Sequence, residues 1–173
     1  EAGVETIMIY YSIPALAAGF ILDLIIGDPR WLYHPVCLIG NLIAFLEKIL
    51  RKIFPKTNSG ELAAGIVEVI LVCLLSGGIP YLILKFLYGI SVWAGFALET
   101  FWCYQLLATK SLKTESMKVY DQLEKKDLKG ARYAVSMIVG RDTNVLDEKG
   151  VTKAAVETVA ENTSDGIIAP MIF

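Results

Sequence analysis

The sequence lacks the features that define several large classes of protein. Its charge is nearly balanced, with 16 Lys and Arg against 18 Asp and Glu in 173 residues, so we expect no nucleic-acid partner. Its three cysteines, Cys37, Cys73 and Cys103, lie far apart in apolar stretches and predict neither a disulfide framework nor a zinc site. We expect all three to be small buried apolar side chains.

Common catalytic and nucleotide-binding motifs are also missing. The chain has no G-x-x-x-x-G-K-[ST], no G-x-G-x-x-G, no H-E-x-x-H, no C-x-x-C and no G-x-S-x-G. The common nucleotide folds and the common hydrolases therefore have no support in the sequence.

What the chain has in excess is apolar character. Hydrophobic residues make up 55% of it and the mean hydropathy is +0.54, above what a soluble domain normally carries. Long apolar runs near 7–26, 62–84 and 87–108 predict about three transmembrane helices, the last two as a hairpin with its turn near Lys85. Segment 36–54 has its charges opposite an apolar face, which predicts an amphipathic helix on the membrane surface.

The distribution of Lys and Arg predicts the orientation. Five lie between Arg30 and Lys56, ten between Lys110 and Lys153, and Lys85 is the remaining one. Because basic loops stay on the cytoplasmic side, the charged segments 30–60 and 110–165 are expected to be cytoplasmic in a multi-pass protein of the cell membrane.

The predicted fold class is therefore an all-α, polytopic integral membrane protein. Residues 1–109 form its membrane region and 110–165 a cytoplasmic helical segment, in which Asp127 and Asp147 can cap helices and Gly140 can end the first of them. The apolar residues 166–173 resemble the start of a further span that is cut short.

A first candidate site follows the first apolar run. Gly27 and Pro29 favour a turn that brings Asp28, Arg30 and His34 together, where a carboxylate and an imidazole could bind a metal or exchange protons. Alternatively, Asp28 caps the turn while His34 joins Trp31 and Tyr33 in an interfacial anchor.

A second candidate site lies in 139–170. Glu157, Glu161 and Asp165 recur at i, i+4 and i+8, so they repel one another unless a cation lies among them. Magnesium takes such oxygen ligands together with substrate phosphates, and Arg141 could hold a phosphate. Alternatively, this stripe is a solvated helix face whose repulsion is offset by nearby lysines.

Two glutamates interrupt the later apolar runs. Carboxylates in hydrocarbon are expensive, so Glu68 and Glu99 either serve a function, facing each other across the hairpin, or lie at span boundaries or inside a bundle. If they line a permeation path, the chain belongs to a transporter or to a membrane scaffold subunit.

Two motifs resemble one known family. The segments G-D-P-R-W-L-Y-H-P-V and, later, G-R-D-T with A-A-V-E-T-V-A-E-N-T-S-D-G-I-I-A-P resemble the CobD/CbiB family of cobalamin biosynthesis. The resemblance implies an N-terminal part of a membrane enzyme that joins aminopropanol, or its phosphate, to adenosylcobyric acid and gives adenosylcobinamide (phosphate). It also implies ATP and Mg²⁺ as cofactors, a corrinoid substrate, the lipid bilayer and other cobalamin-assembly enzymes as partners.

Under this resemblance the motif residues receive specific roles. The expected Mg²⁺ ligands are Glu157, Glu161 and Asp165. Substrate or phosphate would be bound by Arg141, Arg30 and Asn162. Asp142 would orient Arg141 or take a proton from the attacking ammonium, and His34 and Asp28 would complete the catalytic set.

Overall fold

The structure is a computed structural model that describes residues 2–29 and 31–172. Every regular element in these residues is helical, which confirms the all-α prediction. The helices are α1 (Ala2–Ile26), α2 (Pro35–Ile53), α3 (Asn58–Ile90), α4 (Val92–Leu106), α5 (Thr109–Glu124), α6 (Leu128–Ser136), α7 (Glu148–Thr163), a π-helical turn (Ser164–Ile168) and α8 (Ala169–Ile172).

Two helices of the described residues are long and apolar enough to cross a membrane, one fewer than expected. They are α1, from Gly3 to Ile26, and the 33-residue α3. At 1.5 Å per residue, α3 is about 50 Å long and exceeds a hydrocarbon layer of about 30 Å. Helix α4 has only 15 residues, so it is shorter than the predicted span 87–108.

The predicted turn near Lys85 is wrong. Helix α3 continues past this residue to Ile90 and ends at Ser91, whose backbone is extended. The charge of Lys85 is compensated within the helical structure, so this residue need not lie in a water-exposed turn. Its ammonium pairs with the carboxylate of Glu5 at 2.8 Å and lies over the ring of Tyr81.

The chain forms two compact units, which do not coincide with the predicted segments. The first unit takes Glu1–Ala15 and Arg30–Phe101, and the second takes Leu16–Pro29 and Trp102–Phe173. The last part of α1 and the end of α4 belong to the same unit as the charged helices α5, α6 and α7.

In the first unit, α2 packs along the beginning of α3. Leu46 and Leu50 of α2 are buried against Ala64 of α3. The amphipathic helix predicted for 36–54 is thus present. Cys37 on α2 and Cys73 on α3 are exposed, which corrects the expectation that they are buried, because these helices carry more apolar surface than their protein neighbours cover.

Also in the first unit, Tyr88 packs directly on the backbone of α4. Its side chain is buried and its hydroxyl donates to Glu99 Oε2 at 2.6 Å, while Ser12 Oγ donates to Glu99 Oε1 at 2.7 Å. A Cβ at Gly95 would lie 2.5 Å from the Tyr88 ring, so only glycine allows this approach.

In the second unit, the end of α1 and the start of α5 cap each other. Asp23 is completely buried, and its Oδ2 accepts the Thr109 backbone N–H at 2.8 Å. In return, the Lys110 ammonium donates to the carbonyl of Ile25, and Tyr104 donates to that of Gly27 at 2.5 Å. Gly27 turns the chain after α1 with a φ of +74°, a conformation that glycine adopts without strain.

Helices α5, α6 and α7 form the apolar core of the second unit. Its fully buried side chains are Val119, Ala131, Val135, Val151 and Ala154. The caps predicted for α6 and α7 are confirmed, because Asp127 accepts the N–H of Gly130 and Asp147 that of Gly150.

Helix α6 is shorter than predicted, because it ends at Ser136 rather than near Gly140. Ile138 and Val139 follow the helix instead of extending it, although their N–H groups still donate to the Val135 carbonyl. Both side chains pack at the edge of the core, so burial and not helical periodicity accounts for their apolar character.

We expect Asp23→Ala to destabilise the second unit by about 1–3 kcal/mol, because it removes the buried acceptor of the Thr109 N–H. Asp23→Asn keeps a carbonyl acceptor and should lose less. Chemical unfolding of the protein in detergent, followed by circular dichroism, measures both. Asp28→Ala, an exposed neighbour, should stay within about 0.5 kcal/mol of the original protein, and an equal loss there would contradict this role for Asp23.

We expect Gly95→Ala to lower the thermal stability of the detergent-solubilised protein, because its methyl group collides with the Tyr88 ring. Overpacking of this kind costs roughly 1–3 kcal/mol. The matched control is Gly89→Ala, since a Cβ at Gly89 meets nothing within 4 Å. Equal melting temperatures for the two variants would show that Tyr88 moves aside freely.

Candidate functional site

A cleft of about 410 Å³ in the second unit brings together five of the predicted site residues, namely Arg141, Glu157, Glu161, Asn162 and Asp165. One wall is α7 with the π-helical turn that follows it, and the other is the irregular segment after α6. The lining consists of Ile138, Val139, Gly140, Arg141, Glu157, Thr158, Glu161, Asn162 and Asp165.

The local fold explains why these side chains meet. The second half of the segment between α6 and α7 is tied to α6, because Arg132 Nε donates to the Leu146 carbonyl at 2.6 Å and Thr143 Oγ1 donates to the Arg132 carbonyl at 3.0 Å. Thr143 is buried. Glu157 and Glu161 lie one turn apart on the same side of α7, and Asp165 follows in the π-helical turn, so that all three carboxylates line the cleft.

The helix changes its winding at the end of the cleft. From Ser164 to Ile168 the chain is π-helical, with the Ala169 N–H donating to the Ser164 carbonyl five residues back. Single π-helical turns inside α-helices occur frequently at functional sites. Asp165, the last of the three carboxylates, lies in this turn.

The cation facing the cleft is already paired with one carboxylate. Arg141 Nη2 lies 3.0 Å from Glu157 Oε2, and Lys153 Nζ lies 3.6 Å from Glu157 Oε1. The hydrogen bond from Arg141 is the main reason that the pKa of Glu157 lies below its usual value of 4.5. The ion pair is half exposed, so it is a weak contact that a ligand can replace.

The three carboxylates do not form a single ion-binding cluster. In residues 2–29 and 31–172, no group of three His, Cys, Asp or Glu side chains lies close enough to hold one metal ion. Glu157 is paired with cations, whereas Glu161 and Asp165 supply oxygens to the cleft. Two carboxylates together with substrate phosphates are the ligands that Mg²⁺ usually takes.

The structure gives Asn162 and Asp142 different places. Asn162 lines the cleft, with its Nδ2 donating to the Thr158 carbonyl at 2.9 Å. Asp142 does not line it, because its Oδ1 accepts the Asn144 N–H at 2.9 Å and closes a turn. The expectation that Asp142 orients Arg141 is not met in the described residues, where the guanidinium of Arg141 donates to Glu157 Oε2.

The first candidate site is divided between the two units. Asp28 belongs to the second unit, where its N–H donates to Ser111 Oγ at 3.3 Å. His34 belongs to the first unit and caps α2, with its Nδ1 accepting the Val36 N–H at 3.2 Å. Neither side chain lines the cleft, and Arg30 lies outside the described residues.

Glu68 and Glu99 have separate surroundings in the first unit. Glu99 accepts hydrogen bonds from Ser12 and Tyr88, whereas Glu68 lines a cleft between α2 and α3 that also contains Arg51. They do not form the facing pair considered for the hairpin.

Sequence reasoning missed the buried carboxylate of Asp23. The only signal in the sequence is a single acidic residue in an apolar run. Glu68 and Glu99 interrupt apolar runs in the same way, so this signal does not single out Asp23. Its partner residue, Thr109, lies 86 positions away, so no local pattern connects it with Asp23.

The fold and the site define a helical protein of the membrane type. Its second unit carries a small charged cleft, which is lined by the ion pair of Arg141 and Glu157. A model of the CobD/Cbib protein family matches residues 16–173, and the chain belongs to this CobD/CbiB family. Among solved structures, none matches the chain significantly.

Curated relatives agree with this assignment. The chain is 44% identical over 158 residues to the cobalamin biosynthesis protein CobD of Clostridium tetani, covering 91% of the chain and 49% of the relative. It is 47% identical over 153 residues to CobD of Clostridium acetobutylicum, covering 88% and 48%. It is 39% identical over 162 residues to CbiB of Salmonella typhimurium, covering 94% and 50%. The chain thus spans about half the length of these relatives.

We expect the Arg141 contact to be visible in the titration of Glu157. The side-chain carboxyl of Glu157 should titrate below pH 4.5 and move upward in Arg141→Gln, because the donor that favours the ionised form is lost. Carbon NMR of glutamate-labelled protein measures the midpoint. The stabilisation that this pair provides is present above the usual pKa and is lost as the pH falls through the lowered pKa.

The matched control for this titration is Lys149→Gln, which removes one positive charge from α7 without touching the pair. Its Glu157 midpoint should stay where it is in the original protein. An equal shift in both variants would show that overall charge, and not the Arg141 contact, sets the pKa.

Proposed function

We propose that this chain is the N-terminal part of a membrane-bound enzyme of cobalamin biosynthesis, an amide-forming ligase of the adenosylcobinamide-phosphate synthase type. In this proposal it joins aminopropanol, or its phosphate, to a propionate carboxylate of adenosylcobyric acid with the consumption of ATP. The names of the curated relatives support the pathway, and the resemblance of the two motifs supports the reaction.

The observation that carries the proposal is the arrangement of the cleft. It places one guanidinium, Arg141, opposite three carboxylates, Glu157, Glu161 and Asp165. A guanidinium binds phosphate oxygens in a planar, bidentate manner, and carboxylates bind Mg²⁺ or an ammonium group. Phosphate, metal and amine are the groups that an ATP-dependent amide ligation must hold close together.

Arg141 is proposed to bind a phosphate group of the substrates. Its guanidinium is at present paired with Glu157 in an exposed contact, which a dianionic phosphate can displace. Glu157 would then remain next to Lys153, so its charge stays compensated when Arg141 turns to the phosphate.

Glu161 and Asp165 are proposed to hold Mg²⁺, because their carboxylates supply the protein part of the ligand set that this ion takes. Two carboxylates four residues apart face one cleft, which matches the one or two protein carboxylates that Mg²⁺ takes beside phosphate oxygens and water. The bound ion would neutralise phosphate charge. ATP is proposed from the resemblance alone, since the sequence carries no nucleotide motif.

Asn162 lines the cleft and Asp142 lies next to Arg141 in the chain, and both are proposed to take part in the reaction. When an amine attacks an activated carboxyl carbon, a C–N bond forms, the bond to the leaving phosphate breaks and the ammonium proton must go to a base. Asp142 has one oxygen held by the Asn144 N–H, and its other oxygen is the proposed acceptor of that proton. Asn162 is proposed to bind substrate from α7.

Catalytic roles for Asp28 and His34 and a phosphate-binding role for Arg30 are proposed from the family resemblance alone. The proposed location is the cell membrane in a multi-pass arrangement, with the charged segments 30–60 and 110–165 in the cytoplasm because they carry nearly all Lys and Arg. A corrinoid is large and amphipathic, so a site next to the membrane suits it. Other cobalamin-assembly enzymes are proposed partners.

The experiment supplies the full-length parent of this chain, in detergent, with adenosylcobyric acid, aminopropanol phosphate and magnesium ATP, and identifies the corrinoid product by mass. We expect the amide product. Glu161→Gln should lower its rate at least about 100-fold, because removing one stabilising charge from a catalytic site typically has an effect of this size.

The matched control is Glu148→Gln, the same change in the first turn of the same helix and outside the cleft, which should keep full activity. Full activity of Glu161→Gln would remove the metal role from this residue. A corrinoid that binds but never gains the mass of the amine would contradict the ligase and favour a carrier or scaffold subunit.

A further inference from the structure

Helix α2 has a wider apolar face than α3 covers. Its inner row, Leu42, Leu46 and Leu50, packs against the start of α3. Its outer row consists of Leu38, Phe45 and Ile49, in which Leu38 and Phe45 are each 61% exposed and Ile49 is 37% exposed. In the described residues of the first unit, this outer row has no protein neighbour that buries it.

The charges beside the outer row are positive. Lys48 follows Phe45 by three residues and Lys52 follows Ile49 by three, so both lysines lie on the adjoining side of the helix. The acid of this helix, Glu47, lies on the opposite side and is paired with Arg51 at 2.8 Å. An apolar row flanked by lysines is the pattern of helices that lie in the interface of an anionic membrane.

The partner of α2 places it near the level of the interface. The part of α3 that α2 contacts surrounds Glu68, and no charged residue occurs between Glu68 and Lys85. That uncharged stretch is about 24 Å long at 1.5 Å per residue, close to the hydrocarbon thickness, so Glu68 marks one end of the membrane-embedded part.

Aromatic side chains lie just before α2 in the same unit. Trp31 and Tyr33 are exposed, and the Tyr33 hydroxyl accepts a hydrogen bond from Asn41 of α2 at 2.7 Å. Exposed Trp and Tyr are typical of the level of the lipid headgroups. They therefore indicate the same depth as the outer row.

We infer that the outer row of α2 is a docking surface for anionic lipid, with Leu38, Phe45 and Ile49 inserted among the acyl chains and Lys48 and Lys52 on the headgroup phosphates. Three apolar side chains are too few for a stable protein interface, which needs about 800 Å² from each partner. They suffice to seat a helix that the protein already holds at the membrane. This inference does not depend on the proposed reaction.

The test uses the full-length parent in lipid nanodiscs, with native cysteines replaced by serine and an environment-sensitive fluorophore on Phe45→Cys. The matched control carries the label on Ala44→Cys, an exposed position turned roughly 100° around the helix. We expect brominated lipid to quench the label at position 45 and aqueous iodide to quench the label at position 44.

The charge preference is tested by moving the bromine from phosphatidylcholine to phosphatidylglycerol at equal mole fraction. Quenching at position 45 should rise at least about threefold, because each lysine near an anionic surface raises the affinity for anionic lipid by about fivefold. Lys48→Gln with Lys52→Gln should abolish the rise. Lys125→Gln with Lys129→Gln, the same charge loss on the other unit, should keep it.

Three results would overturn the inference. Iodide quenching at position 45 equal to that at position 44 would place the outer row in water. Shielding from both quenchers would show that protein covers it, either another part of the full-length chain or a second copy. Equal quenching by the two brominated lipids would exclude a preference for anionic headgroups.

Discussion

The second unit depends on one buried carboxylate. Asp23 has no exposed surface, so its carboxyl group depends on protein donors, and the Thr109 N–H at the start of α5 is the donor that the structure provides to Oδ2. A helix N-terminus carries partial positive charge, which suits a carboxylate better than any apolar neighbour would. Because α5 begins at this point, the direction in which the α5–α7 core leaves the end of α1 is determined by a single hydrogen bond and the reciprocal contacts around it.

The first unit handles polar groups in apolar surroundings by similar means. Glu99 receives two hydroxyl donors, and Lys85 receives the carboxylate of Glu5 together with the face of Tyr81. Tyr81 lies one turn before Lys85 on α3, and every other partner comes from another helix. Polar groups within apolar helices thus connect elements that apolar contacts alone would leave free to slide.

Sequence patterns predicted the features that depend on neighbours in the chain. Asp127 and Asp147 cap helices as expected because a cap needs only an acceptor three residues before the N–H it serves. Helical periodicity in the same way predicted that Glu157 and Glu161 share one side of α7, whereas it did not predict the π-helical turn that carries Asp165. The pairing of Arg141 with Glu157 and the capping by Asp23 join residues that are 16 and 86 positions apart, and a single sequence does not reveal such contacts.

The π-helical turn at Ser164–Ile168 changes the direction in which the side chains after it point, relative to the side chains of α7. A π-helical turn contains about one residue more than an α-helical turn, so everything after it is rotated by roughly 100° relative to an uninterrupted α-helix. Removal of one residue from this turn would restore regular winding and would swing Met171 and Ile172 to another side while leaving Glu157 in place. The turn thus acts as a one-residue insertion. Because of it, the side on which the apolar residues after the turn lie is set separately from the side that carries the carboxylates of α7.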